Sequence, residues 1–82
     1  MMTNHRLLTY VNAEPFRPFR IHMASGRTYE IRHPEMIQVG RTTLTVFSWT
    51  TTNGKEAKER EQELSLLLVE AIEPPDASIT QN

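Results

Sequence analysis

The chain of 82 residues has no cysteine, so neither a disulfide framework nor a thiolate metal centre can hold it together. Its three glycines stand apart from one another, each at a turn, and never gather into a loop that could cradle a phosphate. No nucleotide or other cofactor is therefore expected. No apolar run approaches the roughly 20 residues of a membrane-spanning helix, and the opening MMTNHRLL lacks the apolar core of a signal peptide. A cytoplasmic protein without membrane attachment is expected.

Length allows one domain, spanning residues 1–75, with 76–82 as a flexible tail after Pro74-Pro75. A chain of this size buries roughly 60 to 65 per cent of its unfolded surface, so the core must be small and a deep enzyme cleft is hard to accommodate. Net charge is close to zero but unevenly spread. Residues 1–41 carry six arginines against three glutamates, and residues 42–82 carry three basic side chains against seven acidic ones. The basic residues are dispersed rather than clustered, which fits pairing between the two halves better than a strong footprint for nucleic acid.

The clearest pattern lies in residues 15–39, PFRPFRIHMASGRTYEIRHPEMIQV. Phe19, Ile21 and Met23 alternate with Arg20, His22 and Ala24, and Tyr29 and Ile31 alternate with Thr28, Glu30 and Arg32. This period of two marks half-buried strands around a turn at Ser25-Gly26. A two-residue loop would oppose Met23 to Thr28 and throw the apolar rows onto opposite faces. An odd loop of Ser25, Gly26 and Arg27, or a bulge with glycine at positive φ, keeps one apolar face. It opposes Met23 to Tyr29 and Ile21 to Ile31, leaving His22 across from Glu30 and Arg20 across from Arg32. Two like charges so placed call for an acidic neighbour.

Upstream, Thr3 or Asn4 can cap a short helix to about Asn12 with Leu7, Leu8 and Val11 as a narrow apolar stripe, stopped by Pro15. Phe16 and Phe19 should be buried. His33-Pro34-Glu35 predicts a bend, because Pro34 removes a ladder bond. Strands should follow at residues 36–39 and 42–49, the second rich in β-branched and aromatic side chains, with Gly40 at the turn between them. Asn53-Gly54 is a strong hairpin signal, yet KEAKEREQEL is helix-forming sequence. Dense leucines in LSLLLVEAI would surround a helix on all sides, so a strand over 64–72 is expected, with 53–62 as a charged excursion.

The elements PFRPFRIH, GRTYEIRHPEMIQVG and a final LSLLLVEAIEP resemble a family of short, uncharacterised bacterial proteins with a PFxPFRIH and GRxYEIRHPE pattern. The resemblance covers roughly residues 6–74 and implies a short helix followed by a small antiparallel sheet. It brings no activity. A helix and five short strands is also the layout of the Sm-like and SH3-like small barrels, an analogy of element order alone. The expected fold is therefore mainly β: one N-terminal helix and five antiparallel strands in a small barrel or strongly bent sheet.

Chemistry is hard to find in this pattern. His5, His22 and His33 would titrate near neutrality, but no nucleophile elbow or oxyanion loop accompanies them. His22, Glu30, His33 and Glu35 alternate across faces and a proline bend rather than converging on a metal. No catalytic, metal or cofactor residue is assigned. The candidate binding surface is Arg20, His22, Glu30 and Arg32 on the first hairpin, with Arg41 and Trp49. A protein partner or a second copy of the chain is expected, through an uncovered edge or leucine-rich face. Weak binding of RNA or single-stranded nucleic acid through the arginine-bearing face is the alternative.

Overall fold

The computed structural model describes residues 2–51 and 57–74, without the side chains of residues 49–51, 57 and 58. The order is α1 (Asn4–Val11), β1 (Phe19–Met23), β2 (Thr28–Ile31), a 3-10 turn (Pro34–Met36), β3 (Ile37–Val39), β4 (Thr43–Thr51), β5 (Ala57–Ser65), a second 3-10 turn (Leu66–Leu68) and β6 (Val69–Glu73). The protein is mainly β.

Helix α1 begins where Thr3 accepts a hydrogen bond from the Arg6 amide at 3.1 Å and ends at Asn12, whose amide donates to the Leu8 carbonyl at 2.8 Å. Leu7 is its one fully buried side chain, and α1 lies against β3. The Pro-Phe segment that follows buries Phe19, against which the rings of Tyr10 and Phe16 tilt with centroids 5.5 and 6.0 Å away.

The first hairpin has the expected parity and a different register. Phe19 lies opposite Ile31, Arg20 opposite Glu30, Ile21 opposite Tyr29 and His22 opposite Thr28. Arg20 thus does not face Arg32, and His22 does not face Glu30. The reason is the turn. Met23 donates to the Arg27 carbonyl at 2.8 Å and Gly26 donates to the Met23 carbonyl at 2.9 Å, so the three loop residues are Ala24, Ser25 and Gly26. A three-residue loop needs its last member left-handed, and Gly26 takes that place with φ 99°. A loop of Ser25 to Arg27 would have forced a side chain into it. The slip of two residues leaves Phe19, Ile21 and Met23 on the buried side.

Six strands form, rather than five, in two antiparallel sheets ordered β2-β1-β6 and β3-β4-β5, and no closed barrel is present among the described residues. The bend at Pro34 is a single 3-10 turn joining β2 of one sheet to β3 of the other. The stretch 64–72 is not one strand. It finishes β5, turns at Leu66–Leu68 and starts β6, which pairs with β1 through Arg20 and Glu73, Ile21 and Ile72, and His22 and Ala71. Leaving one sheet for the other requires that corner, and Ser65 caps it by accepting from the Leu67 amide at 3.2 Å.

The charged segment also departs from expectation, since Ala57–Ser65 is a nine-residue strand paired along β4 from Thr51 opposite Ala57 to Thr43 opposite Ser65. Cross-strand pairing with a long β-branched partner overrides the weak intrinsic preference of Lys and Glu for strands. Asn53-Gly54 and the tail lie outside the described residues.

The core lies between the sheets. Phe19, Ile21, Met23 and Ile31 from the first meet Ile37, Leu44 and Val46 from the second, closed by Leu7, Leu66 and Val69. No polar or charged side chain is buried among the described residues. Tyr29 bridges the sheets by accepting from Gln62 Nε2 at 3.4 Å.

Candidate functional site

The outer face of the first sheet gathers four of the six candidate residues. Burial alternates along β1, so Arg20 and His22 point outward, and Glu30 stands beside Arg20 on β2. Glu73 of β6, opposite Arg20 on the other side, was not singled out from the sequence. It lies 2.6 Å from His22 Nε2 and 3.7 Å from Arg20 Nη1 through the same oxygen, Oε1. Arg32 lies 3.4 Å from Glu30. The acidic neighbours that the arginines called for are thus supplied from within, and the face is a patchwork of paired charges. Exposed pairs of this kind contribute about 0 to 1 kcal/mol each. Only strand order could reveal Glu73, since it lies 51 positions along the chain from His22.

The other two candidates lie elsewhere. Arg41 is in the turn between β3 and β4, on the second sheet. Trp49 is in β4 at the register position opposite Glu59; its side chain is outside the described residues. Among the described residues no group of three or more His, Cys, Asp or Glu side chains could hold a metal ion, and no helix is long and apolar enough to cross a membrane.

Among the described residues β5 is an edge strand of the second sheet. Along it Glu59, Glu61 and Glu63 share the face of Thr45 and Phe47, while Arg60, Gln62 and Leu64 share the face of buried Leu44 and Val46. A two-fold axis through an antiparallel strand pair opposes residues of equal parity, because both strands present the same face to the same side. Every symmetric pairing of this edge with itself over its charged run therefore sets glutamate across from glutamate. Charges of this kind keep an edge from pairing with its own copies.

A more conspicuous surface is the turn between β5 and β6. Leu66 is buried, whereas Leu67 and Leu68 are 70% and 55% exposed, the only large apolar side chains so exposed among the described residues. The turn is fastened on both sides: the Leu66 amide donates to the Thr42 carbonyl at 2.9 Å, and the Ala24 amide donates to the Leu68 carbonyl at 2.7 Å. One bond reaches each sheet. Two open clefts flank the turn. The first, of about 410 Å³, is lined by Met23, Tyr29, Leu64 and Leu68 with Arg27 and Glu63 among its polar residues. The second, of about 330 Å³, is lined by Met2, Leu66 and Leu67 with Arg41 beside them.

No family model, curated protein or solved structure matches this chain.

Each of the two clefts has polar as well as apolar lining, and His22, with its Nε2 2.6 Å from Glu73, sits apart from both, on the outer face of the first sheet. The dense run LSLLL carried the signal for the leucine-bearing turn, since it holds more leucines than one strand can turn inward.

Proposed function

We propose that this chain is a small, non-catalytic binding or assembly module of the cytoplasm that engages a protein partner through the leucine-bearing turn between β5 and β6. The observation that carries this reading is the exposure of Leu67 and Leu68 on a turn bonded to both sheets. Fully burying a leucine stabilises by about 1.5 to 3 kcal/mol, so two exposed ones leave a large fraction of a small domain's stability unclaimed until something covers them. Their fixed backbone adds to this, because a partner need not order the turn on binding.

RNA or single-stranded nucleic acid has less in its favour, because Arg20 and Arg32 each face a carboxylate and the neighbouring histidine shares Glu73. A titration near 50 mM salt, where phosphate contacts are strongest, is expected to show no affinity that Arg20→Ala with Arg32→Ala removes.

The test of the protein-docking reading is a photo-crosslinking residue placed at position 67 in the full chain inside cells, with the exposed helix position 9 as control. A protein adduct from position 67 and none from position 9 is expected. Equal yields from both, or none from either, defeat the reading.

A further inference from the structure

The ladder between β4 and β5 decides which backbone groups of β5 look outward. The Leu66 amide donates to the Thr42 carbonyl at 2.9 Å, and Thr43 lies opposite Ser65 one step further in. Bonded and non-bonded pairs alternate along an antiparallel ladder. The bonded pairs are therefore those at Leu64, Gln62 and Arg60, and the amides and carbonyls of Glu63, Glu61 and Glu59 point away from β4. Among the described residues β5 pairs with β4 alone, and no turn or loop bond seen there takes those groups up.

Three positions thus carry two signals at once. Each presents a donor and an acceptor along the line where another strand would add, and each is an exposed glutamate on the outer face of the sheet. The backbone favours any extended segment, whereas the side chains choose among them. A second copy of β5 is opposed, glutamate against glutamate. A segment with a cation across each glutamate is favoured, since opposite charges directly across a strand pair stabilise it. Parity sets the other positions, which share the inner face with Arg60, Gln62 and Leu64. The residue across Leu64 falls at the cleft of about 410 Å³ that Leu64 lines together with Met23 and Tyr29, which suits an apolar side chain. The residue across Arg60 suits an acid.

We propose that β5 takes an extended cationic segment of a partner protein as an added antiparallel strand, with lysine or arginine across Glu59, Glu61 and Glu63 and an apolar side chain across Leu64. This contact is separate from the leucine-bearing turn and stands whether or not that turn docks a partner.

The probe is the peptide Leu-Lys-Thr-Lys-Glu-Lys, written to run antiparallel to residues 59–64, titrated into the full chain at low salt with amide signals and amide exchange followed by NMR. Exchange is expected to slow at Glu59, Glu61 and Glu63. Methylating the backbone nitrogens of the three lysines should weaken binding at least about tenfold, because those amides meet the outward carbonyls of β5. Methylating the threonine and glutamate nitrogens, which face away, should not. Glu61→Lys should lose the peptide and bind instead its counterpart with glutamate as the middle lysine's replacement, and Leu67→Ser should bind as the wild type does. Absence of binding, or binding that leaves exchange at the three glutamates unchanged, overturns the added strand. Equal binding by the two methylated peptides overturns it as well, since charge attraction alone then accounts for the affinity. Loss of the peptide in Leu67→Ser overturns the assignment to β5 and moves the contact to the turn.

Discussion

Gly26 sets the hairpin register. At φ 99° it occupies backbone space that costs other residues about 1 to 2 kcal/mol, and a Cβ built on it meets nothing within 4 Å. Gly26→Ala should therefore lower stability by about that amount through backbone strain alone, shifting the urea midpoint with an unchanged slope. An unchanged midpoint would mean that the turn does not depend on the left-handed residue. Glu73 is the other residue whose role comes from placement. Its carboxylate serves both His22 and Arg20, yet all three side chains are between 31% and 48% exposed. Glu73→Gln should cost less than about 1 kcal/mol, and the difference from wild type should shrink in high salt. A loss of several kcal/mol would show the cluster to be structural rather than a solvated face.

Among the elements, β5 departs furthest from its local preferences. Its alternating charges lie along a strand because β4 offers nine residues of ladder, and the same alternation guards its edge. Replacing Glu59, Glu61 and Glu63 together with threonine should remove that guard and raise β propensity, giving association by a route that Leu67→Ser and Leu68→Ser do not block. Sedimentation of the combined variant would reveal it; a strictly monomeric combination would count against the parity argument. The second 3-10 turn illustrates the opposite balance. Its leucines read as the inside of a strand, but a chain passing between sheets must turn, and the turn leaves two of them outward.

For the molecule as a whole, β1 is a centre: it pairs on both sides within the first sheet, and it supplies three core residues. Beyond Val46, which pairs with Ile37 at the start of β3, β4 and β5 continue as a two-stranded arm. Ribbons of two strands are marginal without further packing, so amide exchange should be slowest in Phe19–Met23 and much faster in Phe47 to Trp49. Uniform protection along β4 would imply that the arm is covered. Leu44→Ala, at a fully buried position between the sheets, should cost about 2 to 5 kcal/mol and threaten folding outright in a domain this small.

The sequence by itself determined what depends on neighbours along the chain. The cap at Thr3, the end of the helix at Asn12, the alternation that buries Phe19, Ile21 and Met23, the odd hairpin loop and the break at Pro34 all follow from local sterics and periodicity. Only the tertiary structure decided which residues face one another over distance: Glu30 and Glu73 beside Arg20, strand rather than excursion at Ala57–Ser65, and Leu67 and Leu68 outward while Leu66 turns in. The reason is physical. Side-chain period fixes the face a residue presents, but register, strand order and the corner between two sheets are settled by packing and backbone pairing between segments that the chain brings together only when it folds.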